Sequence, residues 1–253
     1  MENYNLDTGK KYVKDIFASD SFYNVPEYQR PYVWEEDQVL TLLEDFSNAK
    51  ESDDKKEYFL GCMIWNSKRA GGPIEYICQD ILDGQQRFIT LFLLHAVMRD
   101  LSQNDKLKSK VEERLRQERD EFDEIPERNR IVFEIRDDSE FLDKYVLVPG
   151  MTKKTDELKR ISDTHESNSV RNMARALIAM HSWWSDHEEQ KDEKEFHKYL
   201  ESFFTYVSNK VVTLYLATPD NLDDAYNLFT VLNSRGVQLQ VGDILRAQNL
   251  RSI

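Results

Sequence analysis

The chain is poor in the residues that would place it in several common classes. It has two cysteines, Cys62 and Cys78, in 253 residues, too few for the disulfide framework of a small secreted domain. Each lies in an apolar, strand-like run, so both read as reduced core residues, close together if those runs form a hairpin. There is no CxxC pair and the five histidines are scattered, so no zinc pattern is present. No apolar stretch reaches the roughly 20 residues of a membrane span. The first residues, Met1 to Leu6, have neither the basic start nor the apolar stretch of a secretory signal. These absences predict a cytoplasmic protein with no membrane partner. The Gly-x-x-x-x-Gly-Lys-Ser/Thr spacing is also missing, which excludes a P-loop mechanism. Cations are outnumbered, 34 Lys and Arg against 47 Asp and Glu, for a net charge of −13. That balance argues against strong non-specific DNA binding, which needs clustered Lys and Arg, but leaves room for a local basic pocket.

What is present fits a globular protein rich in exposed helix, with 40% hydrophobic and 32% charged residues. A short helix is predicted over 11–17, a strand over 22–25 and a helix over 35–48. Strands follow over 58–65 and 74–82, joined by a turn at Gly71-Gly72-Pro73. A helix is expected from Asp83 to Leu101, a charged surface helix over 106–121 and a short strand over 130–135. After a helical turn at 141–145, residues 149–163 read as a mobile loop. A long helix from Glu166 carries Val170, Met173, Leu177, Met180 and Trp184 at helical spacing. Another helix spans 194–207, and a buried strand spans 210–216. Two last helices are expected over 222–233 and from Val241. Strands concentrate early and helices late, which predicts an α+β fold: an α+β lobe over 1–138 joined to a mainly helical lobe over 139–253. The late strand should join the early sheet and make one unit.

The segment with the most chemistry is Asp83-Gly84-Gln85-Gln86-Arg87, between a strand-like run and a helix-like one. Two compatible readings are open. A helix N-terminus with unpaired N–H groups and a guanidinium beside it suits a phosphate. Asp83 followed three residues later by Gln86 also matches a capping box.

Four further segments accompany it: Tyr28-Gln29-Arg30-Pro31-Tyr32-x-Trp34, Tyr58-Phe59-Leu60-Gly61, Leu232-Asn233-Ser234-Arg235-Gly236 and Asp243-Ile244-Leu245-Arg246. In this order, over nearly the whole chain, the set resembles the N-terminal domain of GmrSD-type restriction proteins, a family with a ParB-like core and the same pentapeptide. The resemblance implies a nucleotide-binding, and often NTP-hydrolysing, regulatory or sensor module of a DNA restriction or phage-defence protein. It is coupled in that family to a C-terminal nuclease that attacks modified or foreign DNA. No HNH-like pattern follows the matched segments, so the nuclease is expected outside this chain.

On that reading Asp83, Gln85, Gln86 and Arg87 are the catalytic candidates. Gly84 would allow close backbone approach, Gln85 would orient a water, and Gln86 with the helix start would hold phosphates. Arg87 would neutralise charge growing in phosphoryl transfer, and Asp83 would hold Mg2+. Tyr28, Gln29 and Arg30 would contact the NTP, with Arg30 as a clamp and Tyr28 or Tyr32 stacking on the base. Asn233, Arg235 and Asp243 would close the pocket. Each has a plainer reading: Tyr32 and Trp34 as core, Arg235 and Asp243 as residues placed by helix dipoles. Two other functions compete. One is recognition of modified double-stranded DNA without hydrolysis. The other is cleavage by the chain itself, ranked last because the matched segments contain no close carboxylate pair.

Overall fold

Apolar, β-branched and aromatic runs gather into one mixed sheet. The computed structural model describes residues 7–18, 20–71, 75–122, 124–189 and 191–218. Its six strands, in spatial order, are β1 (Asp7–Tyr12), β8 (Val211–Thr218), β3 (Tyr58–Ala70), β4 (Tyr76–Asp83), β2 (Phe22–Val25) and β7 (Ile131–Phe133). β3 and β4 form the expected antiparallel hairpin. β8 joins the sheet between β1 and β3, antiparallel to the first and parallel to the second. β2 runs parallel to both β4 and β7. A two-stranded ribbon, β5 (Arg116–Gln117) with β6 (Arg128–Asn129), stands apart.

The helices are α1 (Val13–Ile16), α2 (Glu36–Ser52), α3 (Gln85–Leu101), α4 (Asp105–Leu115), α5 (Arg136–Phe141), α6 (Thr155–Thr164), α7 (Asn168–Glu189) and α8 (Glu193–Lys210). The fold is α+β. α3 is buried on nearly every side, as an all-round apolar helix must be, and packs against α4 and α7. One core cluster runs from Val13 to Ala217 through both halves of the chain. Among the described residues no helix is long and apolar enough to cross a membrane.

Several elements differ from expectation. Lys11 and Tyr12 belong to β1, because they pair with Thr213 and Val212 of β8. The charged helix ends at Leu115, where Arg116 turns extended to pair with Asn129. Residues 149–163 are not a loop: a 3-10 turn, Met151–Lys153, leads into α6. Buried Asp100 explains the order there, since its carboxylate accepts from Gly150 N, Thr152 N and Thr152 Oγ1 at 2.8, 3.1 and 2.6 Å. Arg99 beside it donates to the carbonyls of Val146, Leu147 and Val148. Cys78 faces Lys68 in the hairpin ladder, which leaves Cys62 roughly 20 Å away along β3 at ~3.3 Å per residue. Both thiols are free. The helices expected over 222–233 and from Val241 lie outside the described residues.

Candidate functional site

β4 ends at Asp83, α3 begins at Gln85, and Gly84 makes the turn between them. Its φ of 84° is left-handed, and a Cβ there would stand 2.8 Å from Met63 Cγ and 3.2 Å from the Cys62 carbonyl. Glycine is therefore required for its dihedral and for the close packing of the turn on β3. The close approach is to the Met63 side chain and to the β3 backbone at Cys62 and Met63. Gly84, not Asp83, is the N-cap residue, and no side chain caps the helix. The capping box does not form because Gln86 is used elsewhere. Phe88 N is the first amide to return to the turn, reaching Gly84 O at 3.0 Å. The N–H groups before it have no intrahelical acceptor.

The two glutamines hold the Tyr28–Trp34 segment against α3. Gln86 Oε1 accepts from Val33 N at 2.8 Å and Trp34 N at 3.3 Å, while its Nε2 donates to Pro31 O at 3.1 Å. Gln85 Nε2 donates to Arg30 O at 2.9 Å. Tyr32 is fully buried, and its hydroxyl meets Thr90 Oγ1 at 2.8 Å, which removes it from any base-stacking role. The other end of the loop is tied down by a polar row. Asn24 Nδ2 donates to Asp80 Oδ1 at 2.8 Å and Glu134 Oε1 at 2.7 Å, and Glu27 N donates to Glu134 Oε2 at 3.1 Å. Lys68 pairs with Asp80 at 2.7 Å. Asp80 and Glu134 are thus neighbouring carboxylates outside the motif segments, with an amide between them and an ammonium alongside.

Arg87 turns toward β3. Its Nη1 donates to Leu60 O at 2.7 Å and its Nη2 to Cys62 O at 2.8 Å. Both carbonyls flank Gly61, where the β3–β8 register shifts and φ is 121°. A Cβ on Gly61 would collide with Arg87 Nη1. Gly61, Asn24 and Glu134 therefore build the site although their sequence context assigned them no role. The Tyr58–Gly61 segment was visible as a motif; its purpose was not.

What faces outward is a polar cleft of about 200 Å³, lined by Gln29, Arg30, Trp34, Asp83 and the first turn of α3. Gln85 also lines it, and its Oε1 has no partner among the described residues. Arg30 is exposed and Asp83 half-buried; neither side chain has a hydrogen bond or ion pair among the described residues. Tyr28 lies nearby, 47% exposed. A second cleft of about 320 Å³ adjoins, sharing Trp34 and Arg87 and walled by Leu42, Tyr58 and Leu60. Three of the five motif segments thus converge. Asn233, Arg235 and Asp243 lie outside the described residues. Among those described, no group of three His, Cys, Asp or Glu is placed to hold a metal.

The family model described as GmrSD restriction endonuclease, N-terminal domain, matches residues 13–250. The chain belongs to that family. A search of curated proteins found no match. Membership makes this a domain of a restriction-type protein. The convergence in this GmrSD N-terminal domain gives its segments a physical meaning: one fixes the turn, one receives Arg87, and one presents Arg30.

Proposed function

We propose that the chain is an NTP-binding regulatory domain, with the triphosphate held in the cleft between Arg30 and the first turn of α3. The observation that carries this reading is the division of labour inside the pentapeptide and its partner loop. Gln86 and Arg87 are committed to backbone, whereas Arg30, Gln85 Oε1 and the unpaired N–H groups of the first turn border one cleft. Such a helix start favours anions through its oriented N–H groups and dipole.

In this account Arg87 acts as a positioning residue, holding α3 on β3. Arg30 supplies the phosphate-facing cation, and Gln85 supplies an acceptor for a water near the terminal phosphate. Trp34 stands between the polar cleft and the more apolar one, which suits a base stacked beyond the phosphates. Asp83, with its carboxylate at the cleft, fits a Mg2+ ion bound to one carboxylate, phosphate oxygens and water. The metal would offset phosphate charge.

Titration with ATP, GTP and CTP plus magnesium, followed by a phosphate-release assay, tests the proposal. Saturable binding is expected. A competing reading, recognition of modified duplex DNA in the same cleft, gains if salt-sensitive DNA binding occurs with no response to any nucleotide.

A further inference from the structure

A third cleft, of about 670 Å³, opens between α1, α4, α8 and β5, and Arg114 lines it. Arg114 is 5% exposed. Its Nη1 donates to Ser208 Oγ at 2.8 Å and meets His95 Nε2 at 3.0 Å. His95 Nδ1 lies 2.7 Å from Leu91 O, so it carries the proton and Nε2 accepts from Arg114. Burial and the adjacent guanidinium push His95 down to about 3, so it remains neutral and lends Arg114 no charge. The Phe204 ring covers the guanidinium at 4.6 Å.

Both Nη1 hydrogens are used by these two acceptors. Nε and Nη2 have no acceptor among the described residues, yet neither is a sealed, unpaired polar atom. That edge of the guanidinium therefore reaches the cleft, and it is the edge that takes two oxygens of one anion. Among the described residues no carboxylate pairs with Arg114. The other lining cations differ: Lys110 pairs with Glu113 at 2.7 Å, Arg116 pairs with Glu127 at 3.0 Å, and Arg130 donates to Glu113 O at 3.1 Å and lies over the Phe22 ring. Asp15, Glu113 and Glu118 also line the cleft. Lys14, exposed on the rim, has no carboxylate partner among the described residues either. Arg114 sits in the last turn of α4, and Ser208 near the end of α8. Their dipoles offset part of the buried charge but supply no full anion.

We propose that this cleft is a second anion site, binding a phosphate monoester through the Nε/Nη2 edge of Arg114 with Lys14 closing from the rim. Two cations without a carboxylate partner among the described residues match a dianion, Lys14 resting over the Tyr12 ring at 5.5 Å, and the volume admits a phosphate carrying a nucleoside-sized substituent. The site is distinct from the cleft at Arg30, so it stands or falls independently of the nucleotide reading there.

The test titrates an Arg30→Ala chain with inorganic phosphate and with adenosine monophosphate, which separates this site from the other. The same chain carrying Lys14→Ala or Arg114→Gln is compared, with circular dichroism as a control for folding. Lys14 is exposed, so its variant tests the site even if Arg114→Gln fails to fold. We expect at least tenfold weaker binding in the Lys14 variant and in a folded Arg114 variant. A single-stranded oligonucleotide without a terminal phosphate should not displace the monophosphate. Unchanged affinity in the Lys14 variant, or binding of the oligonucleotide but not of the monophosphate, overturns the proposal.

Discussion

The guanidinium of Arg87 occupies the space that a side chain on Gly61 would need. The two residues therefore depend on each other. The bulge in β3 turns Leu60 O and Cys62 O toward Arg87, and the absence of a Cβ at residue 61 lets the guanidinium lie against the strand. This contact joins the sheet to the start of α3.

Gly61→Ala should destabilise the fold by about 1–3 kcal/mol, from the left-handed φ alone, and more if Arg87 is displaced. Arg87→Ala should cost more, up to about 3–6 kcal/mol, since it abandons two charge-assisted hydrogen bonds worth roughly 1.5–3 kcal/mol each. Because both changes break one contact, the double variant should cost clearly less than the two singles added. Urea denaturation of the four proteins checks this; simple additivity would show that the contact is not shared.

Gln86→Leu keeps the side-chain volume but removes three bonds to the loop. The Val33 and Trp34 amides should exchange with solvent faster, while those deep in α3 hold their protection. Hydrogen exchange read residue by residue distinguishes this from global loosening, which would speed both sets together.

Much of this was legible in the chain. The β3–β4 hairpin, the glycine turn and the helix after it follow from apolar runs and turn residues, and β8 from its β-rich composition. The roles inside the pentapeptide were not legible. Asp83 and Gln86 have capping-box spacing, and local spacing cannot reveal that Gln86 is claimed by Val33 and Trp34, more than fifty positions earlier. The same holds for α6. Its amphipathic pattern is short, and the order of the segment before it depends on Asp100, whose acceptors point at backbone distant in sequence. Asn24 and Glu134 look like ordinary polar residues until the sheet sets them beside Asp80.

Two histidines give stability a pH dependence of known sign. Burial lowers His95 to about 3 and His181 to about 4, both below the ordinary value of about 6.5. Depressed values mean the unfolded chain binds protons first, so their contribution is complete above pH 6.5 and is lost as pH falls toward 4. The slope approaches about 1.4 kcal/mol per pH unit for each group. Urea midpoints should drop between pH 7 and pH 5, and His181→Gln should flatten the drop. A flat profile over that interval would contradict the assignment.

The most direct test of the central claim is calorimetric titration of the wild-type chain and Arg30→Ala with a non-hydrolysable nucleoside triphosphate and magnesium. The Arg30 side chain is exposed and has no hydrogen bond or ion pair among the described residues, and the Gln85 bond goes to its backbone carbonyl, so the variant should melt with the wild type. Saturable wild-type binding is expected, with at least a tenfold loss of affinity in the variant. A folded wild type that binds no nucleotide, or a variant that binds as tightly, would contradict the claim.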